Sequence, residues 1–218
     1  MAVISDGSAI LGLGDLGPKA AMPVMEGKAL LFKHFAGVDS VPIVLNVHTP
    51  DEIVAAVKAI AASFGAINLE DIAAPKCFEI EERLKAELSI PVFHDDQHGT
   101  AIVVLAGLIN AMKVVHKKLS GCKVATVGAG AAGTAITKLL RLYGVREIIA
   151  VDSRGIIGDA RTDLNSEKKA LLEFVDRDKT GTMEDAIAGA DIFIGVSKGG
   201  LLTQAHIQSM AANPIVFA

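Results

Sequence analysis

The sequence has only two cysteines, Cys77 and Cys122, among its 218 residues. They lie far apart and form no CxxC pair, so the sequence indicates neither a disulfide framework nor a zinc site. This sparse use of cysteine is typical of a reducing compartment. We therefore expect a cytoplasmic protein.

Long basic and long apolar runs are also missing. Lys and Arg number 21 against 25 Asp and Glu, and the formal net charge is -4, so no basic stretch could follow a phosphate backbone. The N-terminus has no basic region followed by a small-residue cleavage site, and no apolar run reaches the roughly 18 residues of a membrane span. We expect neither nucleic acid nor a membrane as a partner.

What the sequence does have is an alternation of short β-rich runs with longer helical patterns. The helical patterns include PDEIVAAVKAIAASFG, FEIEERLKAEL, GTAIVVLAGLINAMKVVHKK and AAGTAITKLLRLYG. The β-rich runs are PIVLNV (42–47), AINLED (66–71), PVFHDD (91–96), KVATVG (123–128), EIIAVD (147–152), DIFIGVS (191–197) and PIVFA (214–218). This alternation predicts an α/β protein built from βαβ units with parallel strands.

A polar segment, HKKLSGCK (116–123), follows the third of these helical patterns. It indicates a functional division between residues 95 and 122, which we place near residue 97. We therefore expect two parallel-sheet α/β domains. The first covers residues 1–96, and the second, residues 97–218, is a Rossmann-like dinucleotide-binding domain.

The GxGxxG pattern occurs twice, as GLGDLG (12–17) and GAGAAG (128–133). A dinucleotide site also needs a preceding strand, a following helix, and an acid at the end of the next strand. Only the second loop meets all three requirements, because Asp152 ends EIIAVD. After the first loop comes Pro18, and Asn46 stands where the acid is needed. We interpret Gly12, Gly14 and Gly17 as allowing close backbone approach in a substrate pocket wall.

The second loop therefore predicts the cofactor site. Its expected residues are Gly128, Ala129, Gly130, Ala131, Ala132, Gly133, Asp152, Ser153 and Arg154. Asp152 suits the ribose hydroxyls of NAD, whereas Arg154 could equally meet the 2′-phosphate of NADP. The choice between NAD and NADP stays open at this point.

Two pairs of acids follow neighbouring strands. AINLED ends in Glu70 and Asp71, and PVFHDD ends in Asp95 and Asp96. A right-handed βαβ unit brings such acids to one edge of the sheet, and an all-oxygen set suits Mg²⁺ or Mn²⁺. The alternative makes Asp96 a helix N-cap and Glu70 and Asp71 solvated loop acids. Taken jointly, the two pairs favour a metal site, with His94 in a supporting or structural role.

Lys28 lies in a helical stretch rich in Ala, Leu and Phe. Apolar surroundings can lower the pKa of a lysine far enough for proton transfer near neutrality. A surface lysine that extends its stem along apolar residues is the simpler interpretation, and Lys19 and Lys33 are equally plausible on these grounds.

Several segments together resemble the malic enzyme family in its compact bacterial form. They include LGLGDLG, INLEDI, FHDDQHGT, VGAGAAGTAI and VDSRGII, in the family's order. The resemblance implies that Glu70, Asp71 and Asp96 bind a divalent metal, that Lys28 is the catalytic lysine, and that Asp95 is the neighbouring acid of proton transfer. It also implies oxidative decarboxylation of malate to pyruvate and CO₂, reduction of NAD or NADP, and a homodimer.

Two departures from the family pattern matter. Larger eukaryotic relatives carry an arginine for the substrate carboxylate where this chain has Ala9. The family's catalytic tyrosine lies N-terminal to residue 1, and Tyr143 is the only tyrosine here. On the resemblance, the first domain is partial and the second is truncated at PIVFA. We therefore expect the 218-residue chain alone to have little or no malic enzyme activity.

Two other interpretations remain. One is a different two-domain dehydrogenase, such as an amino-acid dehydrogenase, which would need no metal. The other is a noncatalytic module, or an inactive fragment, that binds NAD(P) without substrate chemistry. The acids Glu70, Asp71 and Asp96 argue against the first.

Overall fold

The computed structural model describes residues 1–10 and 12–218 and divides the chain into two compact units, Met1–Asp96 and Gln97–Ala218. Leu11, the first residue of the LGLGDLG motif, lies outside the described residues. Each unit has its own sheet, and the sheets are almost entirely parallel. The prediction of a two-part parallel α/β fold is confirmed.

The first unit is a four-stranded parallel sheet with helices in its connections. Its elements are β1 (Ala2–Ser5), α1 (Pro18–Ala36), β2 (Val41–Val44), α2 (Pro50–Ala61), β3 (Ile67–Leu69), α3 (Lys76–Glu87) and β4 (Val92–His94). The strand order is β2-β1-β3-β4. β1 and β3 are buried along their whole length, as expected for central strands of a sheet covered on both faces.

The helices of the first unit begin and end where local chemistry predicts. α2 begins with a capping box, in which the Thr49 side chain accepts from the Glu52 N–H and the Glu52 carboxylate accepts from the Thr49 N–H. α1 begins at Pro18 and is capped after Ala36 by Gly37, which has the left-handed conformation. Apolar side chains of α2 and α3, including Ile53, then pack into the buried core.

The second unit has a five-stranded sheet in the order β7-β6-β5-β8-β9. α4 (Asp95–Val115) leads into it, followed by a short 3₁₀ helix (Leu119–Gly121). The remaining elements are β5 (Lys123–Val127), α5 (Ala131–Tyr143), β6 (Glu147–Asp152), β7 (Gly155–Ile156), α6 (Ser166–Leu171), α7 (Met183–Ile187), β8 (Ile192–Gly195), α8 (Gln204–Ser209) and β9 (Ile215–Phe217).

Both faces of the second sheet are covered by apolar clusters. Val124 and Ile148 belong to one cluster, while Ala125, Val127 and Ile149 belong to the other. Alternate residues of a strand point to opposite faces, so each central strand contributes to both clusters. This explains why these strands are uniformly apolar in sequence.

The structure corrects three details of the sequence interpretation. β1 and the antiparallel β7 were not predicted, since one has four residues and the other two. Asp95 and Asp96 do not end a strand, because β4 stops at His94 and both acids lie in the first turn of α4. The positive end of the helix dipole favours acids at that position.

Two glycines of the first unit should respond oppositely to alanine. Gly7 has a φ of +69°, and a Cβ there would lie 2.3 Å from the Gly17 carbonyl oxygen. Gly7→Ala should therefore lower the free energy of unfolding by roughly 2 kcal/mol or more. Gly27 lies inside α1 with nothing within 4 Å of an added Cβ, so Gly27→Ala should raise it by about 0.5–1 kcal/mol. Urea unfolding measures both changes, and equal effects would contradict the expectation.

Candidate functional site

Three carboxylates converge at the edge where β3 and β4 end. Glu70 and Asp71 follow β3, and Asp96 lies in the first turn of α4. β3 and β4 are parallel neighbours, with Leu69 opposite His94, so the residues after each strand meet. One oxygen from each of the three acids lies within 4.8 Å of the others.

The backbone of Asp71 contributes to this convergence. Its φ of 52° lies in the left-handed region, which is uncommon for a residue other than glycine. The Asp71 N–H donates to Asp96 Oδ2 over 3.0 Å, and the Asp71 carbonyl accepts from the Ala9 N–H over 3.0 Å. Both peptide groups of Asp71 are therefore fixed, one of them by another acid of the cluster.

Burial and mutual repulsion raise the pKa values of two of these acids. Burial raises the pKa of Glu70 to about 7, with further increases from Asp95 and Asp96, against the lowering effects of Asn68 and Lys28. Burial, followed by the charge of Asp71, raises the pKa of Asp96 to about 6. A divalent cation would offset both the burial and the mutual repulsion of the charged acids. An all-oxygen set of this kind fits Mg²⁺ or Mn²⁺.

Lys28 lies beside the cluster. Its Nζ is 2.5 Å from Asp95 Oδ2 and 3.1 Å from Glu70 Oε2. Burial would lower the pKa of Lys28, but the hydrogen bond to Asp95 and the charges of both acids outweigh burial and raise it. A lowered pKa was one of two interpretations of Lys28 in the sequence. That interpretation is wrong, because apolar sequence neighbours did not reveal two acids distant along the chain. A cavity of about 300 Å³, lined by Lys28, Leu31, Phe32, Phe35, Ala36 and Asp95, adjoins the ammonium group.

His94 is fully buried behind the acids. Its Nε2 lies 3.2 Å from Asp96 Oδ2, and its backbone N–H donates to Glu81 Oε1 over 2.9 Å. Both contacts help to hold in place the segment that carries Asp96. The supporting or structural role of His94 stays a prediction.

A cavity of about 830 Å³ opens at the second glycine loop, at the same end of the second sheet as the carboxyl ends of β5 and β6. Its lining includes Val127, Gly128, Ala129, Gly130, Asp152, Ser153, Arg154, Lys168, Thr182, Val196, Ser197 and Lys198. Ala131, Ala132 and Gly133 begin α5. A cavity at a strand–loop–helix turn with free backbone N–H groups at the helix start fits a dinucleotide.

Gly133 and Gly130 of this loop are glycine for different structural reasons. A Cβ on Gly133 would lie 1.7 Å from the Gly128 carbonyl oxygen, so glycine is needed for helix and strand to pack. Gly130 lines the cavity, and a Cβ there would meet nothing within 4 Å. The first is a packing requirement, and the second leaves room for a ligand.

Asp152 is held by two cations that sequence reasoning missed. Arg161 reaches both carboxylate oxygens, at 3.1 and 3.2 Å, and Lys168 reaches Oδ2 at 2.6 Å. Although burial raises its pKa, these hydrogen bonds lower the pKa of Asp152 overall. Arg154 pairs with Asp163 at 2.8 Å and is 70% exposed. No spacing rule links residues 161 and 168 to residue 152, so the sequence carried no signal for them.

The first glycine loop has no such packing contact at its own glycines. Gly12, Gly14 and Gly17 have φ values of 77°, 80° and 77°, and an added Cβ would meet nothing within 4 Å. No neighbouring atom therefore requires glycine at these three positions. Close backbone approach does occur at Gly17, against Gly7, and it is Gly7 that has no room for a Cβ. Positive φ is the reason for glycine in the loop itself.

Comparison with known proteins identifies the family. Residues 1–52 and 48–85 match the malic enzyme N-terminal domain, and residues 97–218 match the malic enzyme NAD binding domain. The chain belongs to the malic enzyme family. The resemblance noted in the sequence is thereby confirmed.

Curated malic enzymes match over the whole chain. Identity is 58% to the bifunctional malic/malolactic enzyme of Bacillus subtilis (strain 168), and the match covers 100% of this chain and 54% of that protein. Identity is 59% to the NAD-dependent malic enzyme of Geobacillus stearothermophilus, and the match covers 100% of this chain and 46% of that protein. Identity is 52% to the NADP-dependent malic enzyme of Halomonas elongata, and the match covers 100% of this chain and 51% of that protein. The chain thus spans about half the length of these relatives.

A solved malic enzyme has the same fold. The crystal structure of the NAD-dependent malic enzyme from Thermotoga maritima superposes with a TM-score of 0.95 at 49% identity. The match covers 100% of this chain and 58% of that chain. The α/β fold with a Rossmann-like second unit is therefore that of known malic enzymes.

Among the described residues, one helix, α4, is long and apolar enough to cross a membrane by length and composition alone. The sequence analysis had expected no apolar run of roughly 18 residues. The run in α4 is interrupted by Thr, Gly and Asn, but the helix as a whole is still apolar enough to pass this test. One such helix is a weak sign of a membrane span. Residues 97–115 lie within the part of this chain that matches the malic enzyme NAD binding domain.

Alanine at two loop glycines should separate folding from cofactor binding. Gly133→Ala should lower the free energy of unfolding, because its Cβ collides with the Gly128 carbonyl. Gly130→Ala should leave stability nearly unchanged but weaken NAD or NADP binding by roughly tenfold or more, about 1.4 kcal/mol. Thermal unfolding and titration calorimetry measure the two effects. Full cofactor affinity in a folded Gly130→Ala protein would contradict this expectation.

Glu70 should make the metal-free chain less stable as pH rises. Its pKa is about 7 in the folded chain against an ordinary value of 4.5, so the folded state binds this proton more tightly than the unfolded state. The resulting stability is fully present below pH 4.5 and is lost as the pH rises to about 7. Glu70→Gln should reduce this dependence.

Urea unfolding at several pH values, in the presence of a chelator, measures the dependence. The exposed residue Glu26 provides the control substitution, Glu26→Gln, which should leave it unchanged. An identical pH dependence in the Glu70→Gln and unaltered chains would show that burial of Glu70 does not perturb its titration.

Proposed function

We propose that this chain forms the substrate, metal and cofactor sites of a malic enzyme that converts malate to pyruvate and CO₂ while reducing NAD or NADP. The observation that carries the proposal is the meeting of Glu70, Asp71 and Asp96 with the Lys28–Asp95 pair at one sheet edge. A generic Rossmann protein has no need for this arrangement. Membership of the malic enzyme family supports it.

Glu70, Asp71 and Asp96 would hold a divalent cation, Mg²⁺ or Mn²⁺, in the first unit. When bound, the cation supplies Lewis acidity that polarises a ketone and favours loss of CO₂. The three acids are suited to this role by their oxygen ligands, their close spacing and the cost of burying their charges together.

Asp95 would accept a proton from the substrate, and Lys28 would donate one to the product. A bound NAD or NADP would supply the hydride acceptor for C2 of malate. Oxidation at C2 also releases the hydroxyl proton, for which the carboxylate of Asp95 would be the acceptor. Pyruvate needs a proton at the carbon adjacent to its ketone after CO₂ has left. The Lys28 ammonium group, whose Nζ lies 2.5 Å from Asp95 Oδ2, would be the donor at this site.

The second unit would bind the dinucleotide at Gly128, Ala129, Gly130, Ala131, Ala132 and Gly133, with Asp152, Ser153 and Arg154 at the ribose. Asp152 can accept hydrogen bonds from ribose hydroxyls, and the neighbouring cations can face a 2′-phosphate. Relatives of both cofactor types are close in sequence. The cofactor is therefore given as NAD or NADP.

We propose a cytoplasmic homodimer as the working form. The support for association is the exposure of apolar side chains on α1, where Leu31 and Phe35, one helical turn apart, are 50% and 79% exposed. Exposed apolar side chains on one helix face favour contact with another protein surface.

The function is tested in a chimera, because the chain spans about half of its curated relatives. This chain replaces the matching segment of the Bacillus subtilis relative, and NADH or NADPH formation is followed with malate and Mn²⁺. The chimera should turn over malate. Asp96→Ala should abolish Mn²⁺ binding, and Lys28→Ala should lower the turnover number by roughly 10²- to 10⁴-fold.

Lys33→Ala is the matched control, since Lys33 lies on the same helix, is 59% exposed and pairs only with Asp39 among the described residues. It should leave turnover unchanged. A folded chimera that binds the cofactor without malate-dependent reduction would favour a noncatalytic module. Reduction that needs no metal would favour another kind of dehydrogenase.

A further inference from the structure

We propose that Asp6, Ser8 and Lys76 form a positioning network that holds Asp71 in the conformation needed for the divalent cation. None of the three belongs to the cluster of Glu70, Asp71 and Asp96. The inference rests on the proposed metal site, and it assigns the geometry of that site to residues of two neighbouring loops.

Asp6 is the centre of the network. It directly follows β1, the strand beside β3, and its side chain is completely buried. Its Oδ1 accepts from the Ser8 N–H at 3.1 Å and the Ser8 hydroxyl at 2.6 Å, and its Oδ2 accepts from Lys76 Nζ at 2.5 Å. Both carboxylate oxygens therefore have specific partners.

Ser8 links this carboxylate to the loop after β3. Its hydroxyl donates to Asp6 and accepts from the Ala73 N–H over 2.9 Å. The next residue, Ala9, donates its N–H to the Asp71 carbonyl over 3.0 Å. Two consecutive residues of the β1 loop thus hold residues 71–73 by hydrogen bonds to the backbone.

Lys76 holds the other end of the same loop. It is the first residue of α3, and its Nζ binds Asp6 Oδ2 and the His48 carbonyl oxygen, the latter at 3.2 Å. Asp6 consequently reaches the loop after β3 by two routes, through Ser8 to Ala73 and directly to Lys76. The segment between Asp71 and α3 is fixed at both ends.

The conformation of Asp71 explains why such holding is needed. A left-handed conformation at a residue other than glycine costs of order 1–3 kcal/mol and persists when surrounding contacts determine it. A buried ion pair such as Asp6–Lys76 contributes little net stability compared with apolar packing, but it can select one conformation. Selection of the Asp71 conformation is the role that fits both observations.

Mn²⁺ binding to the 218-residue chain tests the network, with free Mn²⁺ measured by electron paramagnetic resonance. Ser8→Ala should raise the Kd for Mn²⁺ by roughly 10- to 100-fold, the usual effect of removing a residue that orients a metal ligand. Ser8→Thr retains the hydroxyl and should restore affinity. Ser63→Ala is the control, because Ser63 is exposed and follows α2 at the opposite end of the sheet.

A double-mutant cycle separates action through Asp71 from a general effect. If Ser8 acts through Asp71, Ser8→Ala should add almost nothing to the affinity loss caused by Asp71→Ala. Amide hydrogen exchange gives a readout without metal, since loss of the hydroxyl should speed exchange at Ala73. Should Ser8→Ala fail to fold, the paired change Asp6→Asn with Lys76→Gln removes both charges together and takes its place.

The outcomes distinguish this inference from the proposed function. Unchanged Mn²⁺ affinity in Ser8→Ala, with faster exchange at Ala73, would overturn the positioning role and leave the metal site standing. Additive losses in the double-mutant cycle would also overturn it. No Mn²⁺ binding by the unaltered chain, while the chimera still needs metal for turnover, would overturn the inference alone. No binding together with metal-independent turnover would overturn both.

Discussion

The cost of burying carboxylates, increased by their mutual repulsion, governs the edge of the first sheet. Glu70 and Asp71 are buried, the half-buried Asp96 lies close to both, and each charge needs a compensating contact. Lys28 and the Asn68 amide face Glu70, and His94 and a backbone N–H face Asp96. The raised pKa values show that these contacts do not fully balance the charge, which leaves the site suited to a cation.

In the second unit, the acid that lines the cavity has a lowered pKa instead of a raised one. Asp152 is also mostly buried, yet Arg161 and Lys168 neutralise it, and its pKa is lowered. An acid that stays ionised can accept hydrogen bonds from ribose hydroxyls at any ordinary pH. Under the proposed function, the same residue type would serve a cation in one unit and a sugar in the other, with neighbouring charges deciding which.

Sequence patterns predicted the features of the site that depend on where strands end and on the order of the loops. Parallel strands bring their carboxyl ends together, so the spacing of Glu70, Asp71 and Asp96 was sufficient to predict their convergence. Contacts between distant loops could not be predicted in this way. The raised pKa of Lys28 depends on its contact with Asp95. The contacts of Arg161 and Lys168 with Asp152 depend on side-chain directions in an irregular segment. Neither kind of contact leaves a periodic signal in the sequence.

The two glycine loops show why a motif needs its structural context. Both have the GxGxxG spacing, but only Gly133 is packed against its own loop, at the Gly128 carbonyl. The first loop is instead constrained from outside, by Gly7, which directly follows Asp6 of the positioning network. The β1 loop thus connects a glycine turn to the backbone of Asp71 through Ser8 and Ala9. A change in that turn can therefore reach the carboxylate cluster without touching any of the three acids.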